Sequence, residues 1–297
     1  MRKRILSIVL CLSMALTLLP MAAFATETGV PAEPVVQAET MQTRPPLVAS
    51  ANTVELDIKD GAIRISPTGY RRGNVATETA YTGSYVITGT SALDGSVHTA
   101  ITVISLAENA TLTLKDLTIG STTCATALSL AGEPSVPEVC IEGAVSLGGL
   151  TEAIKANGAL NLTGSGSLAL DVVSSAPSSS PAVAVVSAAS VAANLTGDIT
   201  VSATATNTQK PATTHAIKTD GAVSLISQNG AVSLISSGTT APLISAAGAV
   251  TISGYGDVTV RNNAGGMAIS TGNDVSLTSD IGKVDVCCQG SAPAISS

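Results

Sequence analysis

Residues 221–260 read GAVSLISQNGAVSLISSGTTAPLISAAGAVTISGYGDVTV, and an aliphatic–small–aliphatic triplet recurs four times in them. The triplets are Val223–Leu225, Val232–Leu234, Val250–Ile252 and Val258–Val260. Successive side chains of a β-strand point to opposite faces, so the outer residues of each triplet share one face and the small residue takes the other. Glycine, asparagine and aspartate between the triplets are typical of tight turns. The stretch therefore predicts short strands, each with one aliphatic face.

A period of about 26 residues carries this pattern along the chain. Pairs of a small and an aliphatic residue begin at Ala127, Ala153, Ala216, Pro242, Ala268 and Ala294, with 26-residue steps everywhere except between 153 and 216. That gap holds one further copy at Ala184 and Val185, in coils with longer loops. Each period adds two triplets, so one repeat contains three strands. Such a repeat cannot bury its apolar side alone and needs stacked neighbours.

The repeat predicts an all-β fold, a parallel β-helix (a solenoid) with three short strands per coil and three parallel sheets. Composition agrees, because 45% of the residues are hydrophobic but only 2% are aromatic, which favours a thin interior of Val, Ile, Leu and Ala. Corner glycines such as Gly221 and Gly230 are expected to adopt positive φ. A β-sandwich is the alternative, but it does not explain a repeating period of three strands.

The N-terminus reads as a secretory signal. Arg2, Lys3 and Arg4 precede the apolar run 5–19, and an A-x-A cleavage site follows at 23–25. The run is too short to span a membrane, and no later stretch approaches about 18 apolar residues. We therefore expect a signal peptide over 1–25, secretion to the cell surface, and no membrane span after its removal.

The remaining chain divides by composition. Residues 26–52 are rich in Pro, Glu and Thr and predict a disordered linker. Residues 53–99 are expected to form the N-terminal entry or cap of the solenoid, and 100–297 its coils. Ala294 begins a further coil that stops at Ser297. This favours a solenoid that is truncated at its C-terminus. We expect a monomer that forms part of a longer chain.

Charge and cysteine content exclude two classes of partner. The net charge of −7 becomes −10 when the three cations of the signal peptide are removed, which argues against nucleic acid. Cys124, Cys140, Cys287 and Cys288 form no C-x-x-C pair, so no zinc site is expected. Free thiols are the preferred interpretation of these four residues, and a Cys124–Cys140 disulfide is the alternative.

Catalysis on a polysaccharide would require neighbouring carboxylates on one outer face, about 5–10 Å apart for a glycoside hydrolase. The outward third-strand positions are Ser146, Ala169, Thr200, Ser233, Thr259 and Asp285. The outward second-strand positions are Thr113, Cys140, Asn161, Ala192, Ser224, Thr251 and Ser276. Acidic residues do not occur side by side in either set, so we predict no catalytic residues and no enzyme activity.

Other polar residues have structural explanations in the sequence. Asp198, Asp220, Asp257 and Asp274 fall at turns, where Asp is a structural residue, and calcium ligation is the alternative. No metal site or other cofactor is expected. His98 and His215 are placed in loops without partners. Lys155 and Lys218 follow Ala-Ile in their coils at equivalent, solvated positions.

The segments DIKDGAIRISPTGYRRG (57–73), YTGSYVITGT (81–90) and AITVISLAENATLTLKDLTI (100–119), with the later A-I-x-x-x-G-A-V-x-L coils, resemble a known group. They are similar to the right-handed, pectate-lyase-like parallel β-helix domains of secreted Gram-positive surface proteins. The resemblance covers 53–297. Some of these domains are described as carbohydrate-binding. It implies a right-handed β-helix and a polysaccharide or a host or cell-wall glycan as partner.

Tyr70, Tyr81 and Tyr85, with Arg71, form the candidate ligand-binding residues, because tyrosine can stack on a sugar ring. A cap that seals the first coil is the other interpretation of this cluster. The long loops 174–181 and 203–214 are expected at one corner, as a binding side or as inert insertions.

The predicted function is a non-catalytic cell-surface module, adhesin-like or carbohydrate-binding. Two alternatives remain open. One is a polysaccharide lyase or glycoside hydrolase whose active-site coils are absent from this chain. The other is a structural stalk of a larger surface protein.

Overall fold

The computed structural model describes residues 52–91, 93, 97–132, 138–175, 182–207, 213–238 and 240–297. Strands make up 61% of the structure and helices 1%, which confirms the predicted all-β class. The strands form a parallel β-solenoid of about 8 turns with roughly 27 residues per turn. The predicted β-helix and its period are therefore confirmed. The predicted signal peptide and all but the last residue of the predicted linker lie outside the described residues.

The first eight strands include an antiparallel section at the start of the solenoid. They are β1 (Thr53–Asp57), β2 (Ile63–Ser66), β3 (Gly69–Arg72), β4 (Thr79–Ala80), β5 (Ser84–Thr90), β6 (Val97–Val103), β7 (Leu112–Ile119) and β8 (Cys124–Leu130). A turn of 3-10 helix, Ile58–Asp60, follows β1. Strand β3 pairs antiparallel with β2 and with β4, whereas β2 pairs parallel with β6. The antiparallel strands thus extend the stack beyond the first parallel strand.

From β9 onward the strands recur in sets of three per coil. They are β9 (Val139–Glu142), β10 (Ala144–Gly149), β11 (Glu152–Ala156), β12 (Ala159–Gly164), β13 (Ser167–Ser174), β14 (Val183–Ala188), β15 (Ser190–Leu195), β16 (Ile199–Ala205), β17 (Thr214–Thr219), β18 (Val223–Ser227), β19 (Val232–Ser237), β20 (Ile244–Ala246), β21 (Val250–Gly254), β22 (Val258–Asn262), β23 (Ile269–Thr271), β24 (Val275–Ser279), β25 (Val284–Cys288) and β26 (Ile295–Ser296). We call β8, β11, β14, β17, β20, β23 and β26 first strands. The two that follow each are its second and third strands.

The solenoid has three faces but two hydrogen-bonded sheets. The first strands, with β6 and β2–β4, form an 11-stranded sheet. The second and third strands belong to one 15-stranded sheet, because β7 pairs with β9 through Leu112–Lys115 and with β10 through Thr118 and Ile119. The expectation of three separate sheets is therefore wrong. The long strand β7 runs through the corner at which the later coils have a turn between their second and third strands.

The aliphatic triplets stack as the pattern predicts. Val223 lies opposite Val250 and Val250 opposite Val275, while Leu225 lies opposite Ile252. Val223 and Val250 are at most 1% exposed. Burial of such a side chain contributes about 1.5–3 kcal/mol. The interior is thus a set of aliphatic columns that run along the solenoid axis.

Two of the predicted first-strand pairs are displaced by one residue. Val186, rather than Val185, lies opposite Ile154 and Ile217, and Ile244, rather than Leu243, lies opposite Ile217. The spacing around Ile244 is therefore uneven, since Ile217 precedes it by 27 residues and Ile269 follows it after 25. Val185 and its neighbour Val186 are both buried, and so are Leu243 and Ile244. Alternation of polar and apolar residues therefore does not identify the register at these two places.

One second-strand position is also corrected. Cys140 lies beside Thr113 as predicted, but its other neighbour is Thr163 and not Asn161. A slip of two residues keeps every side chain on its face, so the sequence pattern cannot detect it. The remaining second-strand positions follow the predicted column through Asn161, Ala192 and Ser224.

The corner glycines have a different role from the predicted one. The glycines with positive φ include Gly143 and Gly164, whereas Gly221 and Gly230 are not among them. A Cβ at Gly221 would lie 2.6 Å from the Ala189 carbonyl oxygen of the preceding coil. Gly221 and Gly230 therefore provide space between coils and not an unusual backbone conformation.

The last coil exposes aliphatic side chains of the kind that are buried elsewhere. Val284 is 45% exposed and Ile295 is 39% exposed, whereas their counterparts Val258 and Ile269 are fully buried. Strands β24, β25 and β26 lie at the sheet edges. The interpretation of this chain as part of a longer protein stays a prediction.

Candidate functional site

Three tyrosines cluster at the N-terminal end, as their sequence positions predict. Tyr70 lies on β3, Tyr81 lies between β4 and β5, and Tyr85 lies on β5. Their ring centroids are 5.3–6.4 Å apart, with interplanar angles of 76–81°. Such edge-to-face pairs are each worth about 0.5–1.5 kcal/mol beyond the area they bury.

Most of this cluster is buried, and two of its hydroxyl groups are hydrogen-bonded to the backbone. Tyr85 is 1% exposed and Tyr70 is 9% exposed. The Tyr85 hydroxyl donates to the Tyr81 carbonyl oxygen at 3.1 Å, and the Tyr81 hydroxyl donates to the Ser84 carbonyl oxygen at 3.3 Å. Desolvation, reinforced by Tyr81, raises the pKa of Tyr85 to about 12. This packing suits a cap better than an open stacking platform.

The arginines beside the tyrosines are held by carboxylates. Glu78 accepts hydrogen bonds from Thr68 Oγ1 at 2.7 Å and from Ser66 Oγ at 2.8 Å, and these bonds lower its pKa. Arg71 Nε lies 3.9 Å from Glu78 Oε2. Arg72 pairs with Asp60 and lies 5.9 Å from the Tyr70 ring centroid. The structure thus brings together Tyr70, Tyr81 and Tyr85, whereas Arg71 lies opposite Arg64 on the other face of β3. A ligand-binding role for these four residues stays a prediction.

The outward column of the third strands is correct in every position. The cross-strand pairs join Ser146, Ala169, Thr200, Ser233, Thr259 and Asp285 in that order. Asp285 forms an ion pair with Arg261 of the neighbouring strand. Within the described ranges, no group of three or more His, Cys, Asp and Glu residues is placed to hold a metal ion. The column offers hydroxyl groups and not paired carboxylates.

Two of the turn aspartates are hydrogen-bonded to the next coil. Asp198 Oδ1 accepts from the backbone N of Ala231, and Asp257 Oδ1 accepts from the backbone N of Lys283, each at 2.8 Å. This geometry gives Asp198 and Asp257 a structural role.

The histidine prediction is wrong for both residues. His98 lies on β6 and His215 on β17, so neither is in a loop. His215 is 6% exposed, and its Nδ1 lies 2.7 Å from the Pro242 carbonyl oxygen, which makes Nδ1 the protonated nitrogen. Desolvation lowers the pKa of His215. The sequence contains one signal for this position, since HAIK at 215–218 repeats the EAIK at 152–155.

Cys124, Cys140, Cys287 and Cys288 carry thiols and form no disulfide, as the preferred interpretation predicts. Cys124 is buried, whereas Cys140, Cys287 and Cys288 are partly exposed. Burial raises the pKa of the Cys124 thiol. The alternative Cys124–Cys140 disulfide is not formed.

The strands that flank the two predicted long loops are neighbours in the sheets. One connects β13 to β14 and the other connects β16 to β17, and these strands pair with one another. Residues 176–181 and 208–212 lie outside the described part of the chain. A binding role for the loops stays a prediction.

A further column of outward-facing residues lies on the first-strand sheet, and the sequence pattern did not predict it. Arg71 lies opposite Arg64 on the antiparallel pair β3 and β2. Arg64 lies opposite Thr102, Thr102 opposite Ser129, and Ser129 opposite Lys155. The pairs join the N-terminal strands directly to the regular coils.

The same column continues through the following coils. Lys155 lies opposite Ser187, Ser187 opposite Lys218, and Lys218 opposite Ser245, which lies opposite Ser270. We call the column from Arg71 to Ser270 the basic column. Its charged members are all cations. The sequence pattern related Lys155 to Lys218 but not to the arginines, because β2 and β3 do not follow the repeat.

Comparison of this chain with models of protein families, with curated proteins and with solved structures finds no match. Within the described residues there is no helix long and apolar enough to cross a membrane. The parallel β-helix is therefore established by the chain's own strand pairing.

Proposed function

We propose that this protein is a non-catalytic carbohydrate-binding module of the cell surface, adhesin-like in role. The observation that carries the proposal is the outward face of the solenoid, where columns of Ser and Thr hydroxyls recur from strand to strand. Adjacent strands lie about 4.8 Å apart, so hydroxyls on neighbouring strands form rows along the axis. The uninterrupted rows are Thr200, Ser233 and Thr259 on the third strands and Ser224, Thr251 and Ser276 on the second strands. Hydroxyl groups both donate and accept hydrogen bonds, as sugar hydroxyls do. Secretion through the signal peptide would place this array outside the cell.

The third-strand column of this array carries one acidic residue among the strands that the structure describes. Along the third-strand column, Asp285 is the acidic member, and Arg261 neutralises it. A glycoside hydrolase needs a protonated and an ionised carboxyl group on either side of the scissile bond. These features support binding over hydrolysis.

A structural stalk is the second candidate, and the tyrosine cluster favours it. Aromatic side chains dominate many binding surfaces, but Tyr70 and Tyr85 are buried. Tyr255 is 42% exposed on a turn, away from the cluster. A rod with a hydrophilic coat needs no aromatic surface.

A glycan array with the purified protein, in the presence and absence of calcium, tests the proposal. Concentration-dependent binding to plant, mucin or cell-wall glycans is the expected result. Binding that requires calcium would assign a role to a turn aspartate such as Asp220. Silence across the array would overturn carbohydrate binding and favour the stalk.

A further inference from the structure

We propose that the basic column binds a linear polysaccharide that carries anionic groups, carboxylates or sulfates. This inference rests on the carbohydrate-binding function proposed for the protein. It adds the face of the solenoid that is used and the chemical class of the ligand.

The charged side chains of the basic column point to solvent. Arg64 lies between Ile63 and Ile65, which are at most 1% exposed. Lys155 lies between buried Ile154 and Ala156. Alternation along a strand therefore directs both charges outward. Lys218 lies in the same way between Ile217 and Thr219.

The column concentrates positive charge on an acidic protein. The whole chain carries a net charge of −7, so its overall field opposes the approach of a polyanion. The basic column places four cations on one face, with neutral Ser and Thr residues at its other positions. This face is thus expected to attract a negatively charged polymer against the overall charge of the protein.

Two carboxylates lie beside cations of the basic column, and each forms an ion pair with one of them. Glu78 lies 3.9 Å from Arg71, and Glu152 Oε2 lies 3.7 Å from Lys155 Nζ. Arg64 adds a weaker attraction to the Glu78 carboxylate, whose pKa is lowered mainly by the hydrogen bonds from Thr68 and Ser66. Among the described residues, Lys218 forms no ion pair with a carboxylate. Surface ion pairs of this kind are weak, so a polyvalent ligand can replace them.

The spacing of the cations fits an extended ligand and not a small ion. Lys155 and Lys218 are two strands apart, about 10 Å. Arg64 and Lys155 are three strands apart, about 14 Å. Cations at these separations cannot all converge on one anion, but they can contact successive charged groups of a chain. Ser187, between the lysines, offers a hydroxyl to the sugar that bridges them.

The test is a binding titration of the intact protein against three polymers. Polygalacturonate supplies carboxylates, dextran sulfate supplies sulfates, and uncharged dextran is the backbone control. The test variant is Lys155→Ser/Lys218→Ser, which introduces the residue found at other positions of the column. The matched control is Lys115→Ser/Lys283→Ser, which removes the same charge away from the first-strand sheet. Thermal melting verifies that both variants fold.

We expect one or both anionic polymers to bind, with an affinity that falls as salt rises. The Lys155/Lys218 variant should show a Kd about tenfold higher, and the control variant should change by less than about twofold. The polymer that binds identifies carboxylate or sulfate as the recognised group. Equal loss in the two variants, or dextran binding as tightly as the anionic polymers, would overturn the basic column while carbohydrate binding stands. Failure of every polysaccharide to bind, here and on the array, would remove both proposals.

Discussion

The carboxylate of Asp198 occupies the space that Gly230 leaves in the next coil. Its Oδ1 accepts a hydrogen bond from the backbone N of Ala231 at 2.8 Å, and a Cβ built on Gly230 would lie 2.4 Å from the same oxygen. Asp257 and Gly282 repeat the arrangement, with a Cβ at 2.5 Å. Each pair anchors the corner of one coil to the next, so turn residues contribute to stacking as the aliphatic columns do.

Gly230→Ala should therefore destabilise the solenoid. The new Cβ would also lie 2.7 Å from the backbone N of Asp198, which cannot move without disturbing the sheet. We expect a loss of about 2 kcal/mol in the free energy of unfolding, measured by urea denaturation. Gly272→Ala is the matched control, because nothing lies within 4 Å of its Cβ position. Similar losses in both variants would refute the role of the Asp198 contact.

Val250→Asp tests the register of the core. Val250 is fully buried between Val223 and Val275, so the carboxylate would have no partner. We expect a loss above about 3 kcal/mol, or no folded protein, by circular dichroism and denaturation. Thr251→Asp, one residue along on the exposed side, should stay within about 0.5 kcal/mol. If Thr251→Asp were the more harmful change, the assigned faces would be reversed.

Tyr85→Phe tests the tyrosine cluster as a cap. The change removes the hydrogen bond from the Tyr85 hydroxyl to the Tyr81 carbonyl oxygen but keeps the ring contacts. We expect a loss of about 1 kcal/mol in stability. Tyr255→Phe should have no measurable effect, since Tyr255 lies on an exposed turn. Glycan binding that falls in Tyr85→Phe without any change in stability would instead support the predicted ligand-binding role.

The buried His215 predicts that stability depends on pH. Desolvation lowers its pKa in the folded state below the ordinary 6.5, so the unfolded chain binds the proton more readily. Its contribution to stability is complete above pH 6.5 and is lost as pH falls through the lower folded-state pKa. The melting temperature should therefore fall as the pH drops below 6.5.

The variants His215→Gln and His98→Gln separate this effect from other titrations. Without the imidazole of His215, the decline that begins near pH 6.5 should flatten. His98→Gln is the matched control, because it removes a histidine from an exposed strand position. Glu78, whose pKa is lowered by Thr68 and Ser66, adds a separate loss only below about pH 4.5. An unchanged profile in His215→Gln would show that another group causes the decline.

The regular coils could be predicted because their pattern is local. Inward and outward positions alternate along each triplet, and the third-strand column from Ser146 to Asp285 follows from counting alone. The errors arise where alternation stops being informative. Leu243 and Ile244 are both buried at a bend, and Cys140 can slip by two residues without changing face. In each case several registers satisfy the same hydrophobic pattern.

The candidate sites were harder to predict from the sequence than the coils. The tyrosines are close in sequence, so their clustering was predictable, but their burial was not. The basic column was missed because it combines antiparallel strands of the entry with parallel strands of the coils. Arg64 and Arg71 meet through a hairpin, whereas Arg64 reaches Lys155 only through Thr102 and Ser129.

The sequence by itself determined the all-β class, the three strands per coil and the composition of the interior. Short triplets and turn residues suffice for this, because strand alternation and turn chemistry are local properties of the chain. Tertiary structure decided the register at the bends, the joining of the second-strand and third-strand faces through β7, and the basic column on the first-strand sheet. These features depend on hydrogen bonds between residues about 27 positions apart, whose partners are chosen only when the coils stack.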